Sequence, residues 1–84
     1  MRIVVLHVVD KKLLKQFGVR IRELRLGLGL SQEHLAELTG FHRTYIGMVE
    51  RGERNISLSN ISVFAKYFEM SVSELLDFGT NSEA

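Results

Sequence analysis

The stretch from Gln32 to Asn55 holds the side chains best suited to chemistry in this sequence. Amides stand at its two ends, and three arginines, Arg43, Arg51 and Arg54, lie between them. Guanidinium and amide groups donate hydrogen bonds to phosphate oxygens and to the edges of bases. The residue types of this stretch therefore suit the binding of a polyanion.

Metal, cofactor and catalytic chemistry find little support in the sequence. His7, His34 and His42 fall in three different predicted elements without a helical i, i+4 pair, and cysteine is absent. Protein zinc sites need several such ligands together, so we expect no metal and no cofactor. The serines have neither a matching base nor nucleophile-elbow glycines, and we expect no enzymatic activity.

Length and charge describe one small domain with two unlike ends. The net charge of the 84 residues is only +1. Residues 1–25 carry seven basic and two acidic side chains, an excess of five positive charges, whereas residues 66–84 carry one basic and four acidic side chains. A basic end suits a polyanion, although a soluble domain with a mixed surface is the alternative on charge alone.

The apolar run at the start of the chain, residues 3–9, is too short to span a membrane. It is followed by Asp10-Lys11-Lys12 and not by a cleavage site, so we expect a cytoplasmic protein without membrane contact. The β-branched residues in this run favour an extended strand or arm, and a disordered extension is the alternative. We therefore treat residues 1–9 as an N-terminal extension.

Helical periodicity dominates the rest of the chain. A first helix is predicted near 10–27, with Asp10 as its N-cap. A second is predicted from the cap Ser31 to Thr39, and a third over about 43–51. Ser57 is the predicted cap of a fourth helix, and Ser71 or Ser73 that of a short fifth. The apolar positions expected to face the core in the first, second and fourth helices are Leu14, Phe17, Ile21, Leu24, Leu28, Leu35, Leu38, Leu58, Ile61, Ala65 and Phe68. We predict a domain over 10–78 and a flexible tail over 79–84.

The second and third helices meet the requirements of a helix-turn-helix. Ala36 is small enough for two crossing helices to approach, and Gly40 tolerates the positive φ of a tight turn. The side chain of Phe41 is expected to fill the space beside that turn. Ile46 and Val49 bury one face of the third helix and leave its other face free to enter a groove.

This pattern resembles the phage-repressor and Cro type of helix-turn-helix, the XRE-like family, and within it the controller proteins of restriction–modification systems. The resemblance implies an all-α, five-helix, lambda-repressor-like fold and a homodimer on palindromic or pseudo-palindromic double-stranded DNA. Thr39 departs from the family pattern, in which an apolar residue is common, and residues 1–9 lie outside it. The residues that carry the likeness are Arg22-Glu23-Leu24-Arg25, Ser31-Gln32-Glu33, Leu35-Ala36, Gly40, Ile46, Val49-Glu50-Arg51-Gly52, Leu58, Ile61 and Leu75-Leu76.

Four residues of the third helix are predicted to meet base edges. Arg43 opens the helix, where a guanidinium can bond guanine O6 and N7 together. Thr44 suits a base or a thymine methyl group. Gly47 lacks a side chain and so permits close approach of the DNA, and Met48 offers apolar contact, with plain protein surface as the alternative for each.

Other polar residues are predicted to bond DNA phosphates or to hold the domain together. Gln32 opens the second helix, where main-chain amides assist phosphate binding. The resemblance also implies a structural ion pair between Arg25 and Glu50. The remaining phosphate candidates are His42, Tyr45, Arg51, Arg54 and Asn55.

The predicted function is that of a homodimeric DNA-binding transcriptional regulator, with a restriction–modification controller as the leading specific hypothesis. A prophage-type repressor and an antitoxin with autoregulatory DNA binding are the alternatives, and RNA polymerase is a further candidate partner. The operator sequence, the sign of regulation and the role of residues 1–9 stay open. Apolar residues expected at the dimer interface are Phe68, Val72, Leu75, Leu76 and Phe78.

Overall fold

The computed structural model describes residues 10–78, which form five α-helices and no strand. This confirms the all-α, five-helix prediction. The predicted extension over 1–9 and the tail over 79–84 lie outside the described residues. The helices are α1 (Lys11–Gly27), α2 (Gln32–Thr39), α3 (Arg43–Glu50), α4 (Leu58–Tyr67) and α5 (Val72–Leu75).

Polar caps explain where four of the helices begin. The side chains of Asp10, Ser31, Ser57 and Ser71 each accept a hydrogen bond from the amide three residues further on. Such bonds satisfy one of the free amides of a first helical turn, typically stabilising the helix by about 1 kcal/mol. His42 stands at the same position before α3 but forms no side-chain cap. The start of α3 therefore depends on tertiary packing.

The core lies between the first four helices and is closed by α5. Phe64 is fully buried at its centre, with the ring of Phe17 6.4 Å away in an edge-on arrangement and that of Phe41 5.2 Å away. Burying an aromatic side chain typically stabilises a fold by about 1.5–3 kcal/mol. The other buried apolar residues are Ile21, Leu35, Ala36, Ile46, Val49, Ala65, Phe68 and Leu75.

Three leucines that the periodicity assigned to the core lie on the surface. Leu28, Leu38 and Leu58 are 58%, 43% and 70% exposed. Leu28 is the C-cap of α1, and Leu58 is the first residue of α4, so neither stands where its helix crosses the core. Leu38 falls beside the face of α2 that is buried through Leu35 and Ala36. The apolar 3, 4 spacing therefore does not predict burial at the ends of these helices.

Two glycines let α1 touch the backbone at the end of α3. A Cβ atom on Gly18 would lie 2.4 Å from the carbonyl oxygens of both Val49 and Glu50, which no real side chain tolerates. Gly52 has a φ of +73°, and a Cβ there would lie 2.7 Å from Cγ of Lys15. Both positions must be free of a side chain for α3 to sit where it does.

Arg20 joins α1 to the far end of the chain. Its Nε donates to the carbonyl oxygen of Leu75 (3.1 Å) and its Nη2 to that of Glu74 (2.8 Å). These carbonyls are at the C-terminus of α5, where cations are favoured because helical carbonyls have no partners there. A helix of only four residues is thus held by a side chain from α1.

The predicted dimer residues divide into two groups. Leu75 is fully buried and Phe68 is only 9% exposed, so both belong to the core of one chain. A side chain without exposed surface cannot contact a partner, and the prediction that Leu75 lies at an interface is wrong. Leu76 is 38% exposed, and Val72 and Phe78 are half-buried.

Candidate nucleic-acid interface

The turn between α2 and α3 is closed by Gly40 and Thr39. Gly40 adopts the left-handed conformation with a φ of +82°, as predicted for this turn. The hydroxyl of Thr39 donates to the carbonyl oxygen of Leu35 (2.8 Å) and accepts from the amide of Phe41 (3.3 Å). Threonine therefore serves at this position because its hydroxyl stabilises the turn, which an apolar side chain would not do.

A buried ion pair fixes α3 against α1. Nε of Arg25 lies 2.6 Å from Oε2 of Glu50, and its Nη2 lies 3.0 Å from Oε1. The two side chains are 8% and 4% exposed. Nη1 of Arg25 donates to the carbonyl oxygen of Leu30 (2.8 Å), so the guanidinium also holds the loop before α2. The hydrogen bond to Glu50, which outweighs the opposing effect of burial, raises the pKa of Arg25.

Gln32 joins the same network from the first turn of α2. Its Nε2 donates to Oε1 of Glu50 at 3.0 Å. One carboxylate thus accepts hydrogen bonds from α1 and α2 while belonging to α3. The sequence predicted Gln32 only as a phosphate contact, and its role in orienting α3 was missed because the two residues are 18 positions apart. One N–H of the amide remains for a phosphate.

A shallow groove beside α3 brings together five of the predicted DNA contacts. Tyr45 is fixed on its border, because its hydroxyl accepts from Nδ2 of Asn60 (2.9 Å) and its ring lies 5.2 Å below the guanidinium of Arg54. No sequence signal pointed to Asn60. The predicted residues that line the groove are His42, Thr44, Tyr45, Met48 and Arg54.

The space over Gly47 is already occupied. A Cβ atom on Gly47 would lie 3.1 Å from Nη1 of Arg51 and 3.7 Å from Oε1 of Gln32. These side chains bury Gly47 although it belongs to the outer face of α3. In the free protein the space beside Gly47 is therefore filled by the end of the Arg51 side chain, and close approach of DNA at this position stays a prediction.

The remaining predicted contacts, Arg43, Arg51 and Asn55, do not line the groove beside α3. Arg43 is exposed at the start of α3 and forms no hydrogen bond or ion pair within residues 10–78. Nε of Arg51 lies 3.1 Å from Oε1 of Glu53 in an exposed ion pair. Asn55 is exposed and lines a shallow surface groove together with Arg51 and Lys15.

Between Asp10 and Phe78, no group of three or more histidine or acidic side chains could hold a metal ion. Over the same range, no helix is long and apolar enough to cross a membrane.

Comparisons with known proteins agree with this geometry. A helix-turn-helix family model (HTH_3) matches residues 21–75, which include α2, α3 and α4. The chain is 54% identical over 56 residues to control protein C.SmaI of Serratia marcescens, covering 67% of each chain. It is 46% identical over 65 residues to control protein C.BamHI of Bacillus amyloliquefaciens, covering 76% of this chain and 80% of that protein.

A solved structure of similar sequence has the same fold. The crystal structure of the restriction-modification controller protein C.AhdI from Aeromonas hydrophila superposes with a TM-score of 0.70 at 53% sequence identity. The match covers 74% of this chain and 94% of that chain. The likeness thus extends from the local sequence to the arrangement of the helices.

Proposed function

Because this chain belongs to the helix-turn-helix family and is a DNA-binding transcriptional regulator, we propose that it acts as a restriction–modification controller. In this role it binds an inverted-repeat operator as a homodimer. It works in the cytoplasm by binding and not by catalysis, and it contacts RNA polymerase where it activates a promoter. The similarity to control proteins from two organisms supports this narrower role.

The observation that carries DNA recognition is the contact of Glu50 with Arg25 and Gln32. Three helices meet at one buried carboxylate, so the direction of α3 is set before any DNA is bound. A preorganised recognition helix loses little conformational entropy on binding. Arg43 is left exposed at the end of α3 that enters a major groove in proteins of this type.

The homodimer is supported by apolar surface around α5. Leu76 is 38% exposed, and the half-buried Val72 and Phe78 lie one helical turn before it and two residues after it in the sequence. A two-fold axis through this patch brings the same residues of two chains together, as isologous interfaces require. Two recognition helices then lie about 34–36 Å apart, one turn of DNA.

Selection of bound sequences from a random DNA pool tests the proposal directly. We expect two inverted half-sites with centres about 10 base pairs apart, and a matching site upstream of the gene. Arg43→Ala should flatten the preference at one position of each half-site, whereas Gln32→Ala should weaken all sequences alike. Genes for a methyltransferase and an endonuclease beside this one would support the controller role, and a toxin gene would support an antitoxin.

Dependence on salt separates DNA binding from binding to a protein. Each phosphate contact releases counterions, so the logarithm of the binding constant should fall with the logarithm of salt concentration with a slope of about −0.9 per contact. A shallow slope together with no enriched sequence would contradict the proposal. A single half-site, bound by one chain, would contradict the homodimer alone.

A further inference from the structure

We infer that Arg51 contacts a guanine in the major groove, and that Gly47 is the position that makes this possible. This inference rests on the proposed binding of an operator and goes beyond it, because it adds a second residue that selects sequence. The sequence had assigned Arg51 to phosphate and Gly47 to close approach of DNA. The geometry of the two residues indicates a different role for each.

Gly47 stands one helical turn before Arg51. Side chains on an α-helix lean towards its N-terminus, so a long side chain covers the turn before its own Cα. Here Nη1 of Arg51 comes within 3.1 Å of the position that a Cβ on Gly47 would occupy, which is closer than side chains normally pack. A residue other than glycine would push the guanidinium away, so glycine at position 47 is what allows the guanidinium to pack there.

The guanidinium is also oriented from its other side. Oε1 of Glu53 lies 3.1 Å from Nε of Arg51, so the Nε edge of the guanidinium is already paired. The terminal Nη1 and Nη2 groups remain to donate side by side. That pair matches the O6 and N7 acceptors of guanine, which arginine bonds in a bidentate manner.

The charge of Glu53 favours a base over a phosphate as the ligand of Arg51. A carboxylate beside the guanidinium repels a phosphate, which carries a full negative charge, and so weakens a simple ionic contact. The edge of a guanine is neutral, and the same carboxylate then only orients the donor. Both side chains are more than half exposed, so the groups are accessible to DNA.

The spacing between Arg43 and Arg51 along the helix predicts where the second guanine lies. Both arginine side chains lean towards the N-terminus of the helix, and Arg43 and Arg51 are eight residues apart, which is a rise of about 12 Å. Successive bases are about 3.4 Å apart along one strand. The guanine selected by Arg51 should therefore lie about three to four base pairs from the position selected by Arg43.

The test compares base preferences of the wild type with those of Arg51→Lys, measured on the operator found by random selection and on all its single-base variants. Lysine keeps the positive charge but replaces the planar fork of parallel donors with a single ammonium group, so it should bond guanine less strongly. We expect the preference for guanine at one position of each half-site to fall about 5- to 150-fold, with other positions unchanged. Arg22→Lys, at an exposed position of α1 outside the predicted DNA contacts, is the matched control, and its base preferences should equal those of the wild type.

Two further variants test the packing of Arg51 on Gly47 and the orientation of Arg51 by the carboxylate of Glu53. Gly47→Ala introduces a better helix former into α3 and meets only the end of a flexible side chain, so the melting temperature of the variant should not fall. It should nevertheless lose preference at the same position as Arg51→Lys. Glu53→Gln should reduce that preference as well, with equal or higher affinity for random DNA because one negative charge is removed.

The outcomes separate this inference from the proposed function. An unchanged set of preferences in Arg51→Lys, or an equal loss of affinity for every sequence, overturns the role of Arg51 while leaving DNA binding intact. If Arg51→Lys loses its base preference at the same position as Arg43→Ala, the inference that Arg51 selects a separate guanine is overturned. If the wild type itself enriches no sequence, the proposed function fails first.

Discussion

Arg25 and Glu50 form a bidentate ion pair that is buried between α1 and α3, with a shortest contact of 2.6 Å. Burying two charges is costly, and the cost is offset here because Leu30 and Gln32 provide further hydrogen bonds. Such a pair specifies an arrangement more than it stabilises one. In this molecule the arrangement is the direction of the recognition helix.

Glu50→Ala should therefore lower stability strongly. It leaves the guanidinium of Arg25 buried without a partner, and we expect the free energy of unfolding to fall by about 3–5 kcal/mol. Thermal denaturation measures this. Glu53→Ala is the control, since it removes an exposed pair and should cost about 0–1 kcal/mol. A Glu50→Ala protein with an unchanged melting temperature and no DNA binding would show that Glu50 acts on the DNA itself.

Gly18→Ala should destabilise the domain although alanine is the better helix former. The new methyl group would lie 2.4 Å from two carbonyl oxygens of α3, so α1 and α3 must separate. We expect a loss of about 1–3 kcal/mol, as found for overpacked cores. Gly27→Ala in the same helix meets no atom within 4 Å and should be neutral or stabilising by up to about 1 kcal/mol. Equal effects of the two substitutions would refute the close approach.

Arg20→Ala should loosen α5. Two hydrogen bonds to the carbonyls of Glu74 and Leu75 are lost, at a cost of about 1–2 kcal/mol. Amide hydrogen exchange should show the loss of protection confined to α5 and its neighbours. Arg22→Ala, an exposed position on the same helix, should leave exchange unchanged. Uniform loss of protection throughout the domain would mean that α5 has no separate stability.

Leu76→Asp should weaken the proposed homodimer. It places a charge on the exposed apolar surface at the end of α5, and we expect the dimer dissociation constant to rise tenfold or more, about 1.4 kcal/mol. Sedimentation at several concentrations measures this, and Leu58→Asp is the control because Leu58 is 70% exposed outside the predicted interface. Leu75→Ala, in contrast, should lower stability by about 2–5 kcal/mol because Leu75 is core. Equal dimerisation of both aspartate variants would move the interface elsewhere.

The sequence by itself determined the helices and the motif, because these depend on local properties. Cap residues such as Ser31 and Ser57, the left-handed Gly40 and the apolar spacing in α1 act over a few residues and can be recognised there. The bounds predicted for the first three helices fall within about one residue of those observed, and the fourth and fifth helices begin after the predicted caps Ser57 and Ser71, a precision that caps make possible.

Only the tertiary structure decided which side chains meet. The burial of Leu75 and the cap that Arg20 forms on α5 depend on how helices cross. These contacts join residues up to 55 positions apart, and no local pattern encodes them. The tertiary packing also makes Gly18 a requirement of the fold, because the space for a side chain there is set by the partner helix.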